Sequence, residues 1–515
     1  MRIPRPANNG AMTEVIVGTG AVTIEQVVAV AREGAAVRLS DEALAAIAAS
    51  RGIVEELAGD PQPHYGVSTG FGALATMSIP PERRQQLQRS LVRSHAASSG
   101  PEVEREVVRG TMLLRLSTLA TGRTGVRVEV AQQYAALLNA GITPVIGEYG
   151  SLGCSGDLAP LAHIALAVMG EGDVRDAAGT AMTGAEALAA AGLEPIVLQE
   201  KEGLALINGT DGMLAMLALA ITDLRALLTT ADLAAAMSVE GLAGTDRVFA
   251  ADLQALRPHP GQAESASVMR AVLRGSAVIA AHATTGFTRV QDAYSLRCAP
   301  QVHGAARDTV AHAELVANRE LASAIDNPVV TVDGRLESNG NFHGAPVGYV
   351  LDFLAIAAAD VASMSERRTD RFLDKNRNGG LTPFLADDPG VDSGHMIAHY
   401  TQAGIVSELK RLAAPASVDS IPTSAMQEDH VSMGWSAARK LRRALDGLTR
   451  VLAIELLTAA RGIELRDEPP APVTAAVITR MRDDIPGPGP DRYLAPEIAA
   501  AVHLVESRDL LKELP

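Results

Sequence analysis

The sequence predicts a mainly α-helical protein, an elongated bundle of long helices with a smaller N-terminal mixed region, and three observations lead there. Hydrophobic residues make up 47% of the 515 residues but aromatics only 3%, so Ala, Leu and Val carry the apolar content, which suits closely packed helices better than aromatic-rich sheets. Beyond Asn208 apolar residues recur at helical spacing in unusually long runs. Glycine-dense stretches at 64–73 and 147–156 interrupt that pattern and mark the irregular parts.

Along the chain, residues 1–22 read as a tail. Met1 to Gly20 has no apolar core flanked by basic residues and a small-residue cleavage site, so no secretory signal is expected, and Met12 is a second candidate start. An N-terminal region is expected over 23–207. Thr23 with Gln26 three residues on is a capping-box pattern before Val27, Val28 and Val30, and Gly34 stops the run, which predicts a short first helix. A second is expected over 41–57. The segment HYGVSTGFGA, from His64 to Ala73, reads as an irregular loop whose tyrosine faces a cavity, and 65–78 is a candidate lid. Helical periodicity returns from Pro81 to Ala140, breaks between Gly147 and Gly156, and restarts at Asp157, expected as an N-cap. The central bundle, 208–484, is expected to contain helices over 213–239, 265–281, 302–324, 346–372, 405–413 and 432–460. IPGPGP at 485–490 fits neither helix nor central strand and opens a C-terminal linker and helical segment, 485–515.

Charge and motifs narrow the function. A formal net charge of -15 argues against nucleic acid or an anionic membrane surface as partner. Two cysteines, Cys154 and Cys298, make no disulfide framework and point to a reducing compartment, the cytoplasm. The most apolar stretch, Met213 to Ile221, is soon interrupted by Asp223 and Arg225 and reads as a core helix. Gly18 and Gly20 begin a GxG pattern that Thr23 breaks, so no nucleotide is expected. His395 and His399 are four apart, but Met396 stands where the zinc hydrolase pattern has Glu, so no metal is expected. Gly153-Cys154-Ser155-Gly156 lacks the final spacing of a serine-hydrolase elbow.

The stretch GSLGCSGDLAPLAH, Gly150 to His163, permits a different chemistry. In a compressed loop the amide nitrogen of Gly156 can attack the carbonyl carbon of Cys154, because glycine has no Cβ in the way. The five-membered ring loses water, and the Ser155 side chain loses a second. What remains is a methylene conjugated to an imidazolone, an electrophile that needs a β-leaving group in its middle residue. The Cys154 thiol is only a ring substituent. A helix opening at Asp157 would aim its N–H groups at charge developing there.

With these residues in place the chain resembles the aromatic amino acid lyases, which carry such a methylidene-imidazolone group, and among them the branch that acts on histidine. The matching segments are YGVSTGFG at Tyr65, RSHAA at His95, GSLGCSGDLAPLAH at Ser155, INGT at Asn208, VQDAYSLRCAPQ at Gln291, NGNFHG at Phe342 and QEDHVSMG at Glu428. The resemblance implies elimination of ammonia from L-histidine to trans-urocanate, the first step of histidine degradation, through a covalent adduct with the electrophile formed from Cys154, Ser155 and Gly156. It implies a fold similar to the fumarase superfamily and a homotetramer whose active sites draw on several subunits. Tyr65 is implied as the base; Arg297, with Asn208 and Tyr294, as holder of the substrate carboxylate; Gln291 and Phe342 as lining residues; His95 and Glu428 as readers of the side chain. A carboxylate beside an imidazole is chemically sensible, since it accepts a ring N–H. Departures include Cys at 154 for the commoner Ala, Ser68 for Asn, and Ser98-Ser99 where a glycine is common. The alternatives are a tyrosine or phenylalanine ammonia-lyase, an aminomutase on the same scaffold and, from another class, a non-catalytic helical scaffold or binding protein.

Overall fold

The computed structural model describes residues 12–284 and 290–515; residues 1–11 of the expected tail lie outside them. Two short strands, β1 (Glu14–Val17) and β2 (Ala36–Leu39), pair in parallel around the first helix, α1 (Ile24–Val28). Its capping box forms as the sequence requires, with Thr23 and Gln26 each bonded to the other's backbone N–H. Gly34 ends the segment at φ +73, a left-handed position that glycine takes without a Cβ penalty. Next come α2 (Asp41–Gly59), α3 (Arg84–His95), α4 (Arg105–Ala120), α5 (Val128–Asn139) and α6 (Leu158–Val168). The helical run expected from Pro81 to Ala140 is thus divided, and between α3 and α4 the segment Ser99–Glu102 pairs antiparallel with Gly147–Tyr149.

The bundle consists of α7 (Asp211–Gly241), α8 (Pro260–Leu273), α9 (Ala299–Leu321), α10 (Ala345–Leu373), α11 (Met396–Leu412) and α12 (Gly434–Glu464), with α13 (Pro472–Arg482) and α14 (Ala495–Glu506) closing the chain. The helix expected over 265–281 is broken, because Gly275 turns left-handed at φ +83. The one expected from Ile405 begins nine residues earlier, at Met396, so His395 stands at its head. Both α7 and α10 contain windows long and apolar enough to cross a bilayer by composition, yet 72% and 61% of those windows lie inside the molecule. They are core helices, and one apolar core extends from Val15 to Leu514.

Three of these helices run in parallel. Gly241 near the end of α7 packs so tightly on Phe372 of α10 and Ile463 of α12 that an added Cβ would lie 2.9 and 3.1 Å from them. Their starts, at Asp211, Ala345 and Gly434, meet at the opposite end, around the segment that contains Ser155.

Candidate active site

The Gly150–Gly156 loop is compressed and clamped. Gly153, Ser155 and Gly156 all have positive φ, at +67, +50 and +83, and for Ser155 that is a strained setting. A Cβ on Gly156 would lie 2.2 Å from the Gly209 nitrogen, so only glycine fits against the INGT segment. The Gly153 carbonyl accepts from the Ser432 hydroxyl at 2.6 Å and from the Gly344 N–H at 3.0 Å. Met433 N–H donates to the Leu152 carbonyl at 2.8 Å. Segments far apart in sequence therefore hold one tripeptide in a tight turn, the condition that ring closure between Gly156 and Cys154 requires.

Asp157 corrects the expected cap. Its carboxylate makes no cap bond to α6 and instead accepts from Gly212 N–H at 2.8 Å, Met213 N–H at 3.0 Å and the Ser151 hydroxyl at 2.7 Å. It caps the long α7, whose own N-cap residue Thr210 has no side-chain cap bond, because the turn brings the two helix starts together. Burial, the largest influence, pushes this carboxyl up to about 7.

Around the tripeptide stand several of the expected residues. Ser155 donates its hydroxyl to Glu428 Oε1 at 3.1 Å, and the Cys154 thiol lies 3.7 Å from Oε2. Burial and the neighbouring carboxylate push that thiol up to about 12, so it stays protonated. His95 feels the charge of Glu428, while burial, the dominant cause, holds its imidazole below the usual value. Its Nδ1 is 2.9 Å from the Leu91 carbonyl, which in the neutral ring makes Nδ1 the donor and leaves Nε2 an acceptor. The Asn208 backbone carbonyl accepts from Arg115 at 2.9 Å, and its buried side-chain oxygen has no partner among the described residues. Phe342 adjoins His343, which stacks on His430 with ring centroids 5.7 Å apart. Tyr65 sits in the glycine-rich loop with its hydroxyl oxygen 3.2 Å from the Gly72 N–H and its ring edge-on to Phe71. Ser68, buried, accepts from the His64 N–H at 2.9 Å and closes the turn that carries Tyr65.

Gln291, Tyr294 and Arg297 are elsewhere. Thr245, just past the end of α7, donates its N–H to Asp292 at 2.8 Å, and Arg368 in the last third of α10 donates to the Ser295 carbonyl. A 31-residue helix rises about 45 Å, so this trio lies roughly a helix length from Ser155 of the same chain. Arg297 rests over the Tyr294 ring at 4.8 Å, Tyr294 is 70% exposed, and the buried Arg297 Nε finds no acceptor among the described residues.

His395 and His399 turn to different partners, Thr458 and Glu366 respectively. Both cysteines are free thiols. Sequence reasoning passed over Ser151, Gly209, Arg115 and Thr423. The first two sit inside the quoted segments, so their proximity to the tripeptide was a usable signal; Arg115, a buried arginine within an apolar helix, was another.

The sequence matches the aromatic amino acid lyase family over residues 22–483. It is 65% identical over 502 residues to a histidine ammonia-lyase of Streptomyces avermitilis, covering 97% of this chain and 98% of that one. Among solved structures it is similar to a histidine ammonia-lyase from Trypanosoma cruzi, with a TM-score of 0.89, 38% identity and coverage of 97% and 95% of the two chains. It is equally close to a tyrosine aminomutase from Streptomyces globisporus, with a TM-score of 0.91, 36% identity and coverage of 97% and 98%. With matches that span nearly the whole length of both sequence and fold, the chain belongs to the aromatic amino acid lyase family.

Proposed function

We propose that the chain eliminates ammonia from L-histidine to give trans-urocanate, and the observation that carries this reading is the Glu428 carboxylate bonded to the Ser155 hydroxyl with the His95 imidazole within reach of its charge. Its main support beyond geometry is the high identity to proteins named for that reaction. The aminomutase fold is as close as the lyase fold, so fold alone does not choose between them. The carboxylate at Ser155 and the imidazole within reach of its charge favour a substrate whose ring carries an N–H group.

The residues suit an electrophile made in place from Cys154, Ser155 and Gly156, given the left-handed Ser155, the Gly156–Gly209 contact and the doubly held Gly153 carbonyl. A methylidene-imidazolone here would supply an electrophilic carbon that makes the substrate's amine a better leaving group. The other tasks belong to side chains. Tyr65 takes the β-proton, and the Gly72 N–H stabilises negative charge on its oxygen. Glu428 accepts from the imidazole or the ammonium, and His95, with Nε2 left as an acceptor, reads the same ring. Asn208 Oδ1, which has no partner among the described residues, is left to accept a donor from substrate. The starts of α7, α10 and α12 place positive helix-dipole ends around the tripeptide, which favours negative charge there.

The carboxylate end of the substrate falls to Arg297, whose planar fork suits it. Since Arg297 is about a helix length from Ser155 on one chain, a second copy must bring it, and we assign the active form as a homotetramer with shared sites. A stripe on α10, Tyr349, Phe353 and Ile356, is 51%, 45% and 46% exposed and supplies an apolar face for that assembly. The free thiols suit the cytoplasm. Incubation with histidine, tyrosine and phenylalanine, following the ultraviolet absorbance of each acrylate and assaying for β-amino acids, tests the reading. Turnover of tyrosine above histidine, or release of β-amino acids, would overturn it.

A further inference from the structure

We propose that Thr423 is a positioning residue that fixes Glu428 in the finished enzyme, taking over when the Ser155 hydroxyl is lost. The inference rests on the ring closure described above. In the uncyclised chain the Glu428 carboxylate is held on both oxygens. Ser155 donates to Oε1 at 3.1 Å; Thr423 donates its hydroxyl to Oε2 at 3.2 Å, and the Cys154 thiol approaches the same oxygen at 3.7 Å.

Ring closure changes that arrangement. The Gly156 nitrogen bonds to the Cys154 carbonyl carbon, and the carbonyl oxygen leaves as water with the Gly156 and Ser155 amide protons. The Ser155 hydroxyl leaves as a second water with the Ser155 α-proton, which converts its Cβ to a methylene carbon. Oε1 then loses its donor and faces the new methylene, where the substrate must approach. Oε2 keeps Thr423 and the longer, weaker thiol contact. A carboxylate anchored by one oxygen and open at the other is set to receive an N–H; without Thr423 it is free to swing.

A second observation shows that Thr423 is itself fixed. Thr423 and Glu428 exchange two backbone hydrogen bonds, 3.0 and 3.3 Å long. The bridge closes a turn whose inner residues Ser424, Ala425 and Met426 all sit at left-handed φ, +52, +53 and +70. Three consecutive non-glycine residues in that region form a strained turn, sustained by its surroundings. Its back meets the loop of Tyr65, since a Cβ on Gly72 would lie 3.6 Å from Ser424 Oγ. One turn thus aims Thr423 at Glu428 and supports the residue whose N–H binds Tyr65.

The test compares wild type with Thr423→Val and Thr423→Ser in the full-length oligomer. Intact mass should show the loss of two waters in all three. For Thr423→Val we expect kcat/KM on histidine to fall about tenfold, and binding of the inert probe imidazole-4-propionate to weaken by a similar factor, the loss of one hydrogen bond to a charged group. Thr423→Ser keeps the hydroxyl and should stay within about twofold of wild type on both measures. Thr423→Ala repeats the measurement if valine lowers the melting temperature. Thr423→Val that has lost two waters yet matches wild type in both readouts would overturn the proposal. So would a variant that keeps its waters, because Thr423 would then act before the ring exists. Wild type retaining both waters would instead overturn the ring-closure reading itself.

Discussion

The two ends of the bundle are built differently. Where α7, α10 and α12 begin, the Gly153 carbonyl, the Asp157 carboxylate and the Glu428 carboxylate each have two or more hydrogen-bond donors, and a Cβ on Gly156 would have no room. At the opposite end Tyr294 is 70% exposed and the buried Arg297 Nε lacks an acceptor among the described residues. The first end holds the tripeptide and its carboxylates with groups of one chain, whereas at the second the Arg297 Nε has no acceptor among the described residues. Under the proposed function, a reaction that needs both would be completed by bringing the far end of one copy to the near end of another.

The largest expected effect breaks that comparison directly. On the proposed roles, Ser155→Ala would remove the leaving group of the electrophile and Arg297→Met the carboxylate fork, so each variant alone should lose activity by several orders of magnitude. Unfolding both together and refolding them as mixed tetramers should restore about a quarter of the sites, those that take Ser155 from one chain and Arg297 from another. Mixtures as inactive as the parents would mean that the trio does not cross between subunits.

Within the finished end, Glu428→Gln should lower histidine turnover roughly ten- to hundredfold, the loss of a charge-assisted hydrogen bond, while residual phenylalanine turnover changes little. His95→Phe should shift preference the same way by replacing an acceptor with an apolar ring. If both side chains address one substrate group, as proposed, the double variant should be non-additive. Equal losses on all three amino acids would place both residues in the chemistry at the amine, and the histidine assignment would then rest on sequence identity alone.

The contrast between the ends also explains how far the sequence could be read. Long helices follow from apolar spacing, so α7, α10 and α12 were placed within a few residues. Local patterns also sufficed for the capping box at Thr23. Periodicity carries no information on which helix an aspartate caps when two starts converge, so the sequence assigns Asp157 to its own helix although its carboxylate serves α7. Nor does it show a left-handed glycine breaking a helix, as Gly275 does. The residues of the quoted motifs were recognisable one by one, but their division between two ends follows from helix direction, a tertiary property. Thr423 escaped notice because its hydroxyl matters only through a carboxylate five residues on.

Opposite pH responses should sharpen the comparison. At the near end burial raises the Asp157 carboxyl to about 7, so the folded chain holds that proton more tightly than the unfolded one. Its stabilising contribution is full below about pH 4 and lost as pH rises through 7. At the far end burial, reinforced by Arg461, lowers His395 to about 3, so its contribution is present above about pH 6.5 and lost as pH falls from there. Melting temperatures across that range should therefore diverge. Relative to wild type, Asp157→Asn should gain as pH rises and His395→Gln should gain as pH falls, each by a few degrees at most. Difference curves of the same slope would show that one of the two groups does not titrate as its surroundings require.

The smallest effect belongs to Cys154. Ring closure uses its backbone carbonyl, and its side chain packs against Val431 and Met433 while the protonated thiol makes a long contact to Glu428. Cys154→Ala should therefore still lose two waters and keep histidine turnover within about threefold of wild type, because an S–H donor is weak and Thr423 still holds the same oxygen. The stability cost should be about 1 kcal/mol, the removal of one buried sulfur. Combined with Thr423→Val, however, the same change strips Oε2 of both the side-chain donors it has among the described residues. The double variant should then lose more than the product of the two single effects, since each donor covers for the other. A folded Cys154→Ala chain that is inactive, or that keeps its waters, would give the thiol a part in building the electrophile that its geometry does not require; simple multiplicativity in the double variant would mean that Thr423 and Cys154 do not share Glu428 at all.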